Sequence, residues 1–347
     1  MTEREGASRT RVGFVGAGII ARRHLKNLLD FDDVTIAAVA DPRKDQAQTF
    51  AEICGGQAYS DPESMLERER LDALYICVPP FAHGPPESAA VRHSLPFFVE
   101  KPIANNLQTA EDLAEAVASA GLVTAVGYHW RYLDIVEHAL DLVSESPVRL
   151  ALGYWVDGIP PPDWWIRQEL SGGQMIEQTT HIFDLARLLV GEVTKIYAAG
   201  SRVERPAVPL ADISDVTVTV AHFATGALGS VVSTCLLKWP HRIGLHLISE
   251  GLAIELSEFD MLVNDGQRRP VRQAVGDPFV REDRDFIDAV QGQPSRIRVP
   301  YAEALKTQRL VVAASRAAGL GRALELEPAA EVAGEPASGY PEAEFLE

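Results

Sequence analysis

The chain has 347 residues, of which 46% are hydrophobic and 23% charged, with a formal net charge of −17. That length predicts two domains, and the acidic balance argues against a nucleic-acid partner, whose phosphates need a basic surface. No apolar run approaches the roughly eighteen residues of a membrane span, residues 1–10 lack the apolar core of a signal peptide, and Cys54, Cys77 and Cys235 are isolated thiols without metal-ligand spacing, as expected of a cytoplasmic protein.

Along residues 1–128, strand-like and helix-like segments alternate. Val12 to Val15 reads as a short strand, Ile19 to Leu29 as a helix and Val34 to Ala40 as a buried strand. Further strands are predicted at Ala73 to Val78, Leu95 to Val99 and Leu122 to Gly127, with a helix around Ala110 to Ala120. Such alternation implies a doubly wound, mainly parallel α/β sheet with helices on both faces. Beyond Tyr128 the pattern changes. A helix near Tyr132 to Val143 leads into a strand through Val156, followed by a Pro/Trp-rich loop and a helix from Gly173 to Val190. Strands at Asp215 to Phe223, Ala227 to Leu237, Ile243 to Glu250 and Leu252 to Leu256 follow without intervening helices, which predicts a large, mostly antiparallel open sheet. Helices near Val280 to Gln291 and Tyr301 to Ala318 complete an α+β unit over residues 129–325. Residues 326–347 form an acidic tail, too poor in apolar residues to fold alone.

Gly16-Ala17-Gly18-Ile19-Ile20-Ala21 follows the first strand and opens the first helix. Gly16 allows a tight turn, Gly18 a close approach of a pyrophosphate, and Ala21 close helix–strand packing; the anion is bound by the free N–H groups of the helix start, Ile19 and Ile20 included. Asp41 ends the second strand, where a carboxylate can bind a ribose 2′-hydroxyl, although it can equally cap the following helix. It favours NAD over NADP, and neighbouring Arg43 keeps NADP possible.

Glu100-Lys101-Pro102 closes the apolar run ending at Val99. Ligands of open α/β sheets bind at the carboxyl ends of the strands, so Lys101 is a candidate for chemistry. A second candidate group is Glu177, His181 and Asp184, spaced to share one face of a continuous helix. A lone histidine with two carboxylates lacks the ligand density of a zinc centre, so no metal is expected; capping and ion pairing are an equal alternative.

Taken together, Gly-x-Gly-x-x-Ala after the first strand, Pro79 with His83 after the fourth, Glu100-Lys101-Pro102 after the fifth, Gly172-Gly173 followed by Glu177, His181 and Asp184, and Asp277-Pro278-Phe279 ahead of the late helix resemble the Gfo/Idh/MocA family. The resemblance runs from residue 11 to about residue 320 and implies a Rossmann domain followed by a substrate-binding and oligomerisation domain. It implies hydride transfer between NAD (NADP possible) and a hydroxyl-bearing carbon of a sugar, sugar derivative or cyclitol. By it Lys101 is the catalytic acid–base, with His181 and Glu177 beside it, and Pro79, His83 and Glu100 join the cofactor-binding residues. Three departures bear on the substrate: Glu177 stands where aspartate is usual, Thr179 where glycine is usual, and Trp164-Trp165 replaces a single tryptophan. The tryptophans suit stacking on a ring or packing of the loop itself. Tyr128, His129 and Arg131, at the domain junction, are expected to line the cleft, Arg131 alternatively forming an ion pair. Other readings are an NAD-requiring glycosidase acting through transient ring oxidation and a non-catalytic dinucleotide sensor. A homodimer or homotetramer through the C-terminal sheet is expected.

Overall fold

A computed structural model describes residues 9–206 and 208–327; the acidic tail lies outside the described residues from position 328. In the first half, strands β1 (Thr10–Val15), β2 (Val34–Ala40), β3 (Gln57–Tyr59), β4 (Ala73–Ile76), β5 (Phe97–Val99) and β6 (Thr124–Val126) alternate with helices α1 (Ile19–Leu29), α2 (Lys44–Cys54), α3 (Pro62–Arg68), α4 (Pro85–Arg92) and α5 (Leu107–Ala120). The strands form one parallel sheet in the order β3-β2-β1-β4-β5-β6. Both faces of a doubly wound sheet are covered, so its strands carry apolar side chains at successive positions rather than alternate ones. Hence the buried β4 stretch Ala73-Leu74-Tyr75-Ile76, with Tyr75 stacked between Phe98 and Phe14 at 5.0 and 5.2 Å.

The second half comprises α6 (Asp134–Glu145), β7 (Leu150–Gly158), α7 (Gln168–Ser171), α8 (Gln174–Glu177), α9 (Thr180–Val190), β8 (Val193–Ser201), β9 (Val216–Phe223), β10 (Leu228–Leu237), β11 (Arg242–Ser249), β12 (Leu252–Leu256), β13 (Asp260–Asn264), β14 (Val271–Gln273), α10 (Pro278–Val290), α11 (Tyr301–Leu320) and β15 (Leu324–Glu325). The nine strands make one sheet, ordered β14-β13-β12-β11-β7-β10-β9-β8-β15, antiparallel throughout except for the parallel pair β7–β10. Period-2 alternation separates its faces. On β9, Thr217, Thr219, Ala221 and Phe223 point into the core beneath the helices, whereas Val218 and Val220 are exposed, as are Tyr197 on β8 and Leu228 on β10. Helix α11 bridges the halves: Arg309 pairs with Glu111 of α5 at 2.9 Å, and Val311 and Ala314 enter the core of the second half. Among the described residues no helix is long and apolar enough to cross a membrane.

One local difference from the sequence pattern decides the site. The expected continuous helix over residues 173–190 is broken. Gly172 and Gly173 adopt φ of +76° and +85°, a region other residues enter at a cost, and launch α8, a single turn. The chain then tightens through i→i+3 bonds, His181 N–H to Gln178 O and Ile182 N–H to Thr179 O, in the first turn of α9. Glu177 is therefore on a separate turn from His181 and Asp184.

Candidate active site

The glycine turn between β1 and α1 is shaped for close approach. At Gly16 (φ +95°) a Cβ would come within 2.3 Å of the Cys77 carbonyl oxygen, so only hydrogen fits. At Gly18 a Cβ would meet nothing within 4 Å; the space in front of the helix start is open. Exposed Ile19 and half-buried Ile20 follow in the first turn, whose N–H groups have no acceptor within the helix. Buried Asp41 closes the other side. It accepts the Ala17 N–H at 2.9 Å, the Arg43 N–H at 2.9 Å and the Arg43 guanidinium at 3.2 Å. Burial pushes its pKa up, but the Arg43 and Ala17 hydrogen bonds outweigh that and hold it below the usual range. The turn, the helix N-terminus and the carboxylate fit a dinucleotide's pyrophosphate and ribose.

Lys101 emerges from the end of β5 through a cis Lys101–Pro102 bond. Its Nζ donates to the Glu177 carbonyl at 2.7 Å and to Glu177 Oε1 at 3.0 Å. Glu177 Oε2 accepts the indole N–H of fully buried Trp165 at 2.6 Å. Both oxygens of this carboxylate are thus engaged, one by the lysine of the first half and one by the Pro/Trp loop of the second. The break between α8 and α9 makes the carbonyl contact possible: in an unbroken helix the residue 181 N–H would take it. Trp164, half-buried, packs with Trp165, Ile213 and Cys235.

His181, on α9, lies nearly parallel to Trp155 and Trp130, with ring centroids at 5.9 and 6.4 Å, and makes T-shaped contacts with Tyr128 and His129. Its Nδ1 is buried without a partner among the described residues. Burial first, then the charges of Lys101 and His129, lower its pKa well below 6.5, so the ring is neutral at physiological pH. Trp155 escaped the sequence reading. Its signal is an aromatic in a strand, β7, that leads directly into the Pro/Trp loop.

The junction residues have diverse surroundings. The Tyr128 hydroxyl meets Thr180 Oγ1 at 2.8 Å, and His129 stacks on Phe279 at 4.2 Å and contacts Glu258 at 3.2 Å. Arg131 is buried in a two-point ion pair with Asp184 (2.7 and 2.8 Å) and also reaches Glu303 at 3.1 Å. Asp184 further accepts the Thr307 hydroxyl at 2.7 Å, which ties α9 to α11. Its place in the sequence pattern is thereby accounted for by packing. Pro79 precedes a short 3₁₀ turn after β4, and His83 behind it pairs through Nδ1 with Glu87 at 2.6 Å. Glu100 is buried against His24 of α1, a residue no sequence pattern singled out, at 2.9 Å.

Residues 10–128 match the profile described as an oxidoreductase family with an NAD-binding Rossmann fold, and residues 147–251 that of the GFO/IDH/MocA C-terminal domain. The chain is 30% identical over 237 residues to a myo-inositol 2-dehydrogenase of Thermotoga maritima, covering 64% of this chain and 67% of that protein. It is 28% identical over 244 residues to an NAD(+)-dependent scyllo-inositol 2-dehydrogenase of Bacillus subtilis, covering 69% and 71%. In architecture it is similar to a levoglucosan dehydrogenase solved with NADH, with a TM-score of 0.82 over 92% of this chain and 100% of the other at 20% identity, a likeness of fold alone.

Proposed function

The chain belongs to the GFO/IDH/MocA family of NAD-binding oxidoreductases acting on CH–OH groups, and from that premise we propose that it interconverts a ring hydroxyl and a ketone of a sugar or cyclitol, with Lys101 as acid–base. The observation that carries this reading is the Lys101–Glu177–Trp165 chain: a lysine at the carboxyl end of a parallel strand, held toward the second domain by a carboxylate that the loop fixes in turn. The inositol dehydrogenases among the relatives support the substrate class.

Gly16, Gly18 and the first turn of α1 hold the pyrophosphate, and Asp41 with Arg43 the adenosine ribose; Pro79 and His83 border the groove. Bound NAD supplies the hydride acceptor. As the free amine, Lys101 hydrogen-bonds the reacting hydroxyl and takes its proton to become the ammonium, and in the reverse direction the ammonium returns that proton to the carbonyl oxygen. Glu177 fixes the lysine's position. His181, neutral and packed beside two indoles, offers a hydrogen bond to a substrate hydroxyl without adding charge. Trp155 and Trp164 give the cleft flat apolar walls suited to the C–H face of a ring, whereas Trp165, expected from sequence to stack on the substrate, is fully buried and packs the loop instead. Tyr128 and His129 border it, while Arg131 fastens the junction.

A panel of inositols, monosaccharides and anhydro-sugars, scored for NADH formation, tests the activity. NADH release with at least one free polyol is expected; aglycone release without net NADH would turn the reading to a glycosidase. Lys101→Ala should retain NADH binding and lose about two to four orders of magnitude in turnover. Wild-type turnover in that variant would remove the lysine from the chemistry. The exposed Tyr197, Val218, Val220 and Leu228 favour self-association through the outer face of the large sheet. Light scattering that found only monomer would reject it.

A further inference from the structure

Beneath the lysine, ionisable side chains from three elements are enclosed together. His24 of α1 is fully buried, with Nδ1 2.7 Å from Asp283 Oδ1 of α10 and Nε2 2.9 Å from Glu100 Oε1 at the end of β5. A neutral imidazole has one donor and one acceptor nitrogen, and a carboxylate only accepts. With both acids ionised, both contacts are hydrogen bonds only if both ring nitrogens carry protons. The remaining carboxylate oxygens are also engaged: Asp283 Oδ2 accepts from Asn27 at 2.9 Å, and Glu100 Oε2 accepts the backbone N–H of Lys101 at 3.1 Å. Gly127 seals the arrangement, since a Cβ there would lie 2.6 Å from the Glu100 carboxylate. A continuous line therefore runs from α10 through His24 and Glu100 to the main chain of Lys101.

We propose that His24 is a positioning residue for Lys101: a buried imidazolium that ties helix α10 to the Glu100 carboxylate and thereby fixes the backbone from which the lysine projects. The catalytic half of this statement rests on the role of Lys101 proposed above; the charge on His24 does not. Besides Asp283 and Glu100, the titratable groups facing the ring are Glu282 of α10 and Tyr75 of β4, with Lys101 and His129 beyond Glu100. Burial opposes a charge on His24, yet Asp283 and Glu100 outweigh it and raise its pKa well above 6.5. Glu282 is wholly buried with neither carboxyl oxygen bonded among the described residues. Burial lifts its pKa well above 4.5 against the opposing charge of His24, and the carboxylates of Glu100 and Asp283 add to the rise, so it carries a proton. One cation thus serves two carboxylates, and the third acid is neutral.

The direct test is nitrogen NMR of the histidine rings in the NADH-saturated protein. His24 should show two N–H groups near neutral pH, where an unperturbed imidazole has lost one; a neutral ring with one N–H overturns the proposal. In parallel, His24→Gln should bind NADH within about threefold of wild type and leave KM nearly unchanged. Its kcat should fall about ten- to a hundredfold, the scale of a misplaced catalytic group. Glu282→Gln, replacing one neutral group by another, should keep wild-type kcat. A wild-type kcat in His24→Gln, a Glu282→Gln variant as impaired as His24→Gln, or one equivalent of tightly bound metal in the purified protein would each overturn the assignment. If Lys101→Ala turned over normally, the catalytic half would fail while the NMR result still reported the charge on His24.

Discussion

Replacing Glu177 by glutamine isolates the interaction on which the proposed chemistry depends. The side chain keeps its shape, and its amide oxygen can still accept from Trp165, but the amide NH2 then faces the ammonium of Lys101, donor to donor. Lys101 keeps the 2.7 Å bond to the residue 177 carbonyl and loses the 3.0 Å bond to the carboxylate. A hydrogen bond between charged groups contributes about 1.5–3 kcal/mol. At about 1.4 kcal/mol per tenfold in rate, kcat should fall roughly 10- to 150-fold if the whole interaction operates in the transition state, with KM moving less. The assay is the initial rate of NADH formation on the best polyol of the panel, at saturating NAD. Because the two residues act as a unit, Glu177→Gln added to Lys101→Ala should cost no more than about threefold beyond the lysine variant. A Glu177→Gln enzyme within threefold of wild type, or full additivity of the two losses, would refute the coupling.

Asp41→Ala releases Arg43 and removes the carboxylate facing the ribose, so kcat/KM for NADP relative to NAD should rise by about tenfold or more; an unchanged ratio would take Asp41 out of cofactor selection. Asp184→Ala leaves Arg131 buried without its two-point partner and should destabilise the protein by about 3–5 kcal/mol in urea unfolding; a loss below about 1 kcal/mol would show that Glu303 suffices. Stability should also decline with alkalinity. A raised pKa on His24 contributes fully below the unfolded value near 6.5 and is lost as pH rises through the folded value; Glu282, raised from 4.5, acts with the same sign. Melting temperatures measured from about pH 7 to about pH 10 should therefore fall, with a shallower slope in His24→Phe, and an identical slope in that variant would exclude His24 as a source.

The Rossmann half was legible because its signals are local. The glycine turn, α1, β2 and the strand carrying Lys101 follow from apolar runs and turn residues whose meaning does not depend on distant partners. β3 was missed because its three residues are largely exposed and carry no apolar run. In the second half, β9, β10 and β12 stand out by alternation, whereas β8 and β13 have mixed patterns set by what packs on them. The parallel pairing of β7 with β10 is a topological fact that no window of sequence contains. At the site, Lys101, Glu177 and His181 were visible as residue types in motifs. The broken helix was not, and neither were the indoles beside His181 nor the His24–Glu100–Asp283 line, both of which join residues far apart in the chain. Arg131 and Asp184 illustrate the converse. Their chemistry drew notice in sequence, and the fold uses it for an ion pair between elements.

The carbonyl of residue 177 has a property that its carboxylate lacks: every amino acid has one. No missense change at this position can delete it, and no pH within the physiological range can protonate it. The lysine therefore retains one mooring whatever side chain stands there, although it loses the carboxylate bond that holds its charge. What would unmoor the lysine is a change of backbone path at Gln178 and Thr179 that fused α8 and α9 into one helix and drew that oxygen back into its own ladder. The contact that no side-chain change at position 177 can remove is thus the one that a change of backbone path beside it can.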